Sequence, residues 1–177
     1  DLQSGVVKLF STTSAFAALK DDGSVVTWGR EVGSYSGGDS SSVQSDLQSG
    51  VVDISSSVGG FAALKDDGSV VTWGGRAGDS SSVESHLQSG VVKIFSTASA
   101  YAALKDDGSV ITWGGAGGDS SSVESQLQSG VVNITAGQRD FAALKDDGSV
   151  VTWGDTRYGG DSSSVESHLQ SGVVDIF

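Results

Sequence analysis

A thirteen-residue segment recurs four times in this chain of 177 residues, and it constrains the fold more than any other feature. The segment AALKDDGSVVTWG begins at Ala17, Ala62, Ala102 and Ala142, and the copies differ at one position, where Ile111 replaces Val. A repeat of this length is a supersecondary unit that must bury its apolar face against neighbouring units. The sequence therefore predicts one repeat domain over residues 1–177.

A second recurring segment, LQSGVV, lies between the repeats. It occurs five times, one more than the thirteen-residue segment. It begins at Leu2, Leu47, Leu87, Leu127 and Leu169, and the conserved Trp of the first segment recurs at intervals of 45, 40 and 40 residues. We divide the domain into units at approximately 5–49, 50–89, 90–129 and 130–171. Residues 172–177 are then a surplus copy of the linking strand.

Each unit contains three short stretches with the character of β-strands. In the first unit these are Gly5–Phe10, the Ala-rich stretch Phe16–Leu19 and the β-branched stretch Val25–Trp28. Asp21-Asp22-Gly23 separates the last two, and a glycine there supplies the positive φ that closes a hairpin. The structural glycines of the four hairpins are Gly23, Gly68, Gly108 and Gly148.

The segment GDSSSV(E/Q)SxLQSG after each hairpin is compatible with a short helix or an edge strand, and the pattern slightly favours the helix. Ser81 and Glu84 have the spacing of a capping box, and Val83 and Leu87 would share one helical face. Gly90 fits the helix exit.

Three or four short strands per unit of roughly 40 residues, with a recurrent Trp-Gly, are typical of a β-propeller blade. The stretch FAALKDDGSVVTWGDTRYGGD, residues 141–161, resembles the core of the regulator-of-chromosome-condensation repeat. The resemblance covers all four units and implies an all-β, propeller-like domain of about four blades. The unit is also similar to repeats of large bacterial surface and secreted proteins, which implies an extracellular or cell-surface scaffold.

The sequence departs from that family in ways that bear on function. The family's usual seven blades and its Gly-x-x-His element are absent, and Thr13-Ser14-Ala15 stands in place of that element. No insertion is large enough to act as a nucleotide-exchange wedge. The fold by itself does not carry the exchange activity.

Composition excludes several classes of partner. The net charge of −12 disfavours nucleic acid, which is bound largely through Lys and Arg against phosphate. The sequence contains no helix-length apolar run, so we expect no membrane insertion. The absence of Cys excludes disulfides and thiolate metal sites, and it is compatible with an extracellular location.

The residues that could carry chemistry have structural interpretations, so we expect no catalytic residue, no metal site and no cofactor. The recurrent Gly-Asp-Ser suggests a cap or turn, because four equivalent copies do not supply one differentiated nucleophile with its base. The adjacent Asp pairs of the hairpins suit solvated turns better than calcium. His86 and His168 share a repeat position with Asp46 and Gln126, which indicates a solvent-tolerant site.

The four Trp residues are candidates either for packing or for stacking on sugars. Their identical placement at strand ends favours packing between blades. These structural residues are Trp28, Trp73, Trp113 and Trp153.

Differences among the units concentrate in two connections, the first (between the first two strands) and the third (after the third strand). Antiparallel geometry places both at one end of the blade, which we call the loop face, and the DG hairpins at the other. Arg and Tyr are enriched in binding patches, and loops on a rigid scaffold are a usual place for recognition. The alternative is that these loops differ only because they have drifted between duplicated units. The candidate ligand-binding residues are Arg30, Tyr35, Arg76, Arg139, Arg157 and Tyr158.

The sequence thus favours a non-enzymatic structural or adhesive propeller module of a larger extracellular protein, with ligand recognition on the loop face. Two alternatives remain open: a carbohydrate-binding propeller, and an engineered or evolution-model repeat propeller without a natural ligand. A protein or a glycan is the expected partner. The surplus strand also allows a homodimer that shares strands or blades.

Overall fold

The strands of the protein form four three-stranded antiparallel sheets in the computed structural model, which describes residues 4–31 and 37–177. Each sheet takes its strands in chain order, so the middle strand pairs with both others. We number these sheets as blades 1 to 4. The strands are β1 (Val6–Ser11), β2 (Ala15–Lys20), β3 (Val25–Gly29), β4 (Val51–Ser56), β5 (Gly60–Lys65), β6 (Val70–Gly74), β7 (Val91–Ser96), β8 (Ala100–Lys105), β9 (Val110–Gly114), β10 (Val131–Ala136), β11 (Asp140–Lys145) and β12 (Val150–Gly154). The predicted all-β, four-bladed architecture is confirmed.

The second and third strands of each blade form the hairpin expected from the DG turn. In blade 1, Gly23 has φ +75° and its N–H donates to the Lys20 carbonyl oxygen at 3.0 Å. The Asp22 carboxylate accepts hydrogen bonds from the backbone N–H and the hydroxyl of Ser24, at 2.9 and 2.6 Å. The turn is therefore held by backbone and side chain together.

The first strands of neighbouring blades lie side by side. The Ser55 hydroxyl of β4 donates to the Ile94 carbonyl oxygen of β7 at 3.0 Å, and the Ser96 hydroxyl of β7 donates back to the Ser56 carbonyl oxygen at 3.0 Å. Lys8 of β1 likewise forms an ion pair with Asp53 of β4, at 2.8 Å. The first strand is thus the innermost strand of each blade.

The hydrophobic core lies between blades. We call the face of a blade toward the preceding blade its leading face and the opposite face its trailing face. The leading faces of blades 2, 3 and 4 pack against the trailing faces of blades 1, 2 and 3. The leading face of blade 2 contributes Val51, Ile54, Phe61 and Trp73 to the first core. The trailing face of blade 1 contributes Ala17, Leu19, Val25 and Leu47. Equivalent residues form the cores between blades 2 and 3 and between blades 3 and 4.

The third connection of a blade, which leads to the next blade, contains short 3-10 helices in place of an α-helix or an edge strand. In blade 2 the helix Glu84–Leu87 follows Val83 and has no side-chain cap hydrogen bond, so the predicted capping box is wrong. The Ser81 N–H donates instead to the Asp79 carboxylate at 3.1 Å. The further 3-10 helices are Ser41–Val43, Arg76–Gly78, Glu124–Gln126 and Ser163–His168.

The connection also lies along the outer edge of the third strand. The Val25 N–H of β3 donates to the Leu47 carbonyl oxygen at 2.9 Å, and the Leu47 side chain is fully buried. The connection therefore holds a Leu in the core between two blades.

Residues 172–177 follow the path of a first strand without being paired into a sheet. The Val173 N–H donates to the Gly148 carbonyl oxygen at 3.0 Å, as the Val131 N–H does to that of Gly108. The Ile176 carbonyl oxygen accepts from the Thr135 hydroxyl at 3.2 Å. This segment lies against blade 4 but forms no ladder with a second strand.

Candidate binding face

The first and third connections of each blade meet at one end, as antiparallel pairing requires. In every blade the first residue after the third strand donates its N–H to a carbonyl oxygen of the first connection. The pairs are Arg30 to Ser14, Gly75 to Gly59, Gly115 to Ser99, and Asp155 to Arg139, at 2.6 to 3.0 Å. The first connections of adjacent blades are also linked, since Thr13 N–H donates to the Val58 carbonyl oxygen and Val58 N–H donates to that of Ala98. The loop face is thus one continuous surface.

Three of the candidate ligand-binding residues converge on the loop face of blade 4. The Arg157 guanidinium binds the Asp155 carboxylate in a bidentate manner, with Nε to Oδ1 at 3.0 Å and Nη2 to Oδ2 at 2.7 Å. The Arg139 guanidinium lies 3.9 Å from the same carboxylate and 5.3 Å from the centre of the Tyr158 ring. We call Arg139, Asp155, Arg157 and Tyr158 the blade-4 cluster.

The electrostatics of the cluster are set by Asp155. Hydrogen bonds from Arg157, together with the charges of Arg157 and Arg139, lower the pKa of the Asp155 carboxyl to about 2. This carboxylate therefore stays ionised at neutral pH and orients the Arg157 guanidinium through two hydrogen bonds. The Arg157 side chain remains 76% exposed and Tyr158 is 50% exposed, so both are accessible from solvent.

A cavity of about 470 Å³ lies beside the cluster, between the third connections of blades 3 and 4. Its lining includes Ala116, Gly117, Trp153, Asp155 and Arg157. The cluster thus borders a concave surface.

The other candidate residues lie elsewhere on the loop face or outside the described residues. Arg30 is exposed after β3, in blade 1. Arg76 lines a separate cavity of about 270 Å³ between blades 2 and 3, together with Val58, Ala98 and Ser99. Tyr35 lies outside the described residues. The six candidates therefore do not form a single site.

The acidic residues of the repeats have structural roles. Each Gly-Asp-Ser Asp accepts the N–H of the residue two positions later; the pairs are Asp39 with Ser41, Asp79 with Ser81, Asp119 with Ser121, and Asp161 with Ser163. Each second Asp of the hairpins bonds a Ser in the same way, as Asp22 does. These hydrogen bonds lower the pKa of the carboxyls, so the Asp residues stabilise turns in their ionised form.

No three His, Asp or Glu side chains gather as a metal site within residues 4–31 and 37–177. His86 and His168 are exposed in the connections of blades 2 and 4. Over the same ranges, no helix has the length and apolar character needed to cross a bilayer.

Three of the four Trp residues pack between blades. Trp73, Trp113 and Trp153 are 1 to 3% exposed, and each stacks on the aromatic residue opposite it in the neighbouring strand at 5.1 to 5.2 Å. Their rings are therefore inaccessible to a sugar. Trp28, in blade 1, is 36% exposed.

Sequence analysis did not single out Asp155, which organises the cluster. The signal was present, because Asp155 occupies the repeat position of Gly75 and Gly115. A carboxylate that replaces a glycine two residues before Arg157 is a local departure from the repeat.

Comparison with known proteins supports the fold. No protein-family model and no curated protein matches the sequence. The structure of human WBSCR16 is 23% identical, with a TM-score of 0.52, and aligns over 87% of this chain and 48% of that one. Yeast RCC1 (Prp20), solved with Kap60 bound to it, is 21% identical, with a TM-score of 0.57 over 85% and 42%. The receptor kinase CR4 ectodomain of Physcomitrella patens is 19% identical, with a TM-score of 0.58 over 84% and 41%.

These similarities show an RCC1-like β-propeller fold. The chain spans less than half the length of the three structures.

Proposed function

We propose that this β-propeller is a non-enzymatic structural and adhesive module of an extracellular protein, and that it binds a partner protein through the loop face of blade 4. The blade-4 cluster is the observation that carries the proposal. It combines an exposed Tyr ring with two guanidinium groups that share one carboxylate: Arg157 is held by two hydrogen bonds, and Arg139 lies 3.9 Å away. Tyr and Arg are the residue types that most often dominate binding at protein interfaces.

Preorganisation supports this function. Arg157 is held by two hydrogen bonds before any partner arrives, so less side-chain entropy is lost on binding than for a free Arg. The corresponding third connections of blades 2 and 3 carry Gly75 and Gly115 in place of Asp155. The third connections of blades 2 and 3 therefore lack the carboxylate that holds Arg157 in blade 4.

The structural use of the polar repeat residues supports a non-enzymatic role. The Asp and Ser residues of the hairpins and connections bond one another in turns that recur in each blade. The extracellular assignment rests on the resemblance to repeats of bacterial surface proteins, and the Cys-free composition is compatible with it.

A random-peptide phage library, panned on the wild-type chain, tests the proposal. We expect selected peptides to bind the wild type and to lose about tenfold or more in affinity on the Arg157→Ala variant, since truncating a central interface Arg commonly costs over about 1 kcal/mol. Arg76→Ala is the matched control, because it removes an exposed Arg from the loop face of another blade. Equal affinity for all three proteins would refute the assignment.

A glycan array probed with the same three proteins tests the alternative. The exposed Tyr158 ring beside a bidentate Arg–Asp pair is also suited to a sugar, whose apolar face stacks on aromatic rings. A reproducible glycan signal that Arg157→Ala abolishes, without selected peptides, would replace the protein partner with a carbohydrate.

A further inference from the structure

The leading face of blade 1 is exposed, although its residues are those that form a core in the other blades. Phe16 is 46% exposed and Trp28 is 36% exposed, whereas Phe61 and Trp73 of blade 2 are 0 and 3% exposed. Likewise, Leu9 is 61% exposed, whereas Ile54, at the same repeat position in blade 2, is 4% exposed. The blade-1 face is a core surface without the blade that would cover it.

The trailing face of blade 4 is open in the same way. Leu169 is half-buried, while Leu47, Leu87 and Leu127 at the same repeat position are 0 to 1% exposed. Val165 is 46% exposed. The four blades therefore leave a free leading face at blade 1 and a free trailing face at blade 4.

These two faces are complementary to each other. The molecule packs a leading face on a trailing face three times, with nearly the same residues at each interface. The blade-1 face is also already formed, since Phe16 stacks on Trp28 at 5.4 Å, close to the 5.1 Å between Phe61 and Trp73. The surface that fits each free face is thus the other free face.

We propose that the leading face of blade 1 binds the trailing face of blade 4 in a second copy of this chain, so that two chains close one eight-bladed ring. A second copy offers both faces, and a ring made from two copies leaves neither face open.

Closing the ring requires that one of two segments be displaced from its place beside blade 4. Residues 173–177 lie along blade 4 where β1 of the second copy would lie, so one of the two segments is displaced. Lys8 of β1 pairs with Asp53 at 2.8 Å, while Asp175 in its place would put a carboxylate beside Asp53. Val174 and Phe177 are 92% exposed and fully exposed. The C-terminal segment is therefore the one displaced.

Light scattering after size exclusion tests the proposal. One copy has a mass of 17.9 kDa, so a dimer has about twice that mass. We expect the wild type to be a dimer and Phe16→Glu to be a monomer with at least a tenfold weaker Kd, because a charge would be buried in the new core. Phe16 is partly exposed in the single chain, so circular dichroism should show an unchanged fold.

Two further variants make the result specific. Val52→Glu is the matched control, since Val52 is 54% exposed and absent from the interblade core, and it should remain a dimer. A chain truncated after Gly172 should dimerise at least as well as the wild type. Added salt should strengthen the dimer, because each copy carries a net charge of −12.

Three results would overturn the proposal. The first is a monomeric wild type, and the second is a series of larger species that grows with concentration. The third is a dimer that survives Phe16→Glu or disappears on truncation.

Discussion

Tyr101 shows how one atom can distinguish a blade from its copies. The repeat has Phe at this position in the other three blades, and Tyr101 adds a hydroxyl inside the core between blades 2 and 3. That hydroxyl donates to the Gly60 carbonyl oxygen at 2.6 Å and accepts from the Ser57 N–H at 3.1 Å. The buried polar atom is therefore satisfied by the preceding blade.

We expect Tyr101→Phe to lower the free energy of unfolding by about 0.5 to 1.5 kcal/mol, because it removes one of the hydrogen bonds of each of two buried backbone groups, Ser57 N–H and Gly60 C=O, which still bond each other at 3.0 Å. Urea denaturation measures the change. Tyr158→Phe is the matched control on the exposed surface and should change stability by less than about 0.5 kcal/mol. Equal losses in the two variants would contradict this account.

The pH dependence provides a second check of Tyr101. Burial raises the pKa of this phenol above its ordinary value of 10.0, so the folded state favours the protonated form. The resulting stabilisation is complete below pH 10 and declines as the pH rises above it. The difference in stability between wild type and Tyr101→Phe should therefore shrink in alkaline solution.

At this scale the sequence predicted residue types better than their partners. The repeat identified the Trp positions as packing residues, and three of the four Trp side chains are buried. It did not indicate that Tyr101 would reach Ser57 or that Asp155 would join Arg139 to Arg157. Such contacts join residues from different connections or blades, and a repeat pattern carries no distances between them.

The DG hairpin is the element that lies against the start of the next blade. Gly108 has φ +77°, and a β-carbon there would lie 2.8 Å from the backbone nitrogen of Gly130 at the start of the next blade. The glycine is therefore required twice, by the turn and by the close approach of the next unit.

We expect Gly108→Ala to destabilise the protein by over about 2 kcal/mol, since strain at positive φ adds to a backbone clash. Gly172→Ala separates the two causes: Gly172 has φ +80°, but no atom lies within 4 Å of a β-carbon at that position. That control should cost about 1 kcal/mol or less. Thermal unfolding of both variants measures the difference, and similar losses would show that the close approach contributes little.

Hairpins were predictable because their signal is local, whereas the connections were not. Asp-Asp-Gly fixes a turn within four residues. In the connection, Ser81 and Glu84 matched a capping box, but the Asp79 carboxylate bonded the Ser81 N–H and the chain formed a single 3-10 turn. The competing hydrogen bond and the burial of Leu87 decided the conformation, and both depend on the packed blades.

On the scale of the whole molecule, stability resides in the junctions between sheets. Leu127 is 1% exposed between blades 3 and 4, while Leu169 at the same repeat position is half-buried on the free face of blade 4. The same side chain in the same local sequence thus has two environments.

We expect Leu127→Ala to cost about 2 to 5 kcal/mol, as for other buried Leu residues, and Leu169→Ala to cost less than half as much. Urea denaturation of both variants in the Phe16→Glu background makes the comparison, because self-association would otherwise bury Leu169. Equal costs would mean that the end of the chain is packed as tightly as its interior.

Counting repeats predicted the number of blades. It did not predict that the four blades form an open arc, with a free face at each end. Four nearly identical hairpins are compatible with a small closed ring or with part of a larger one, since closure depends on the angle between adjacent blades. Small side chains at the interfaces, such as Ala17 and Ala63, contribute to that spacing and give no sequence signal of their own.

Because every junction joins the same two surfaces, a gene that gains or loses one unit would encode a chain with unchanged ends. No new contact would have to evolve for the added unit to be accommodated. Length in such a protein can therefore vary by recombination within the gene, while selection acts separately on the few loop residues that differ.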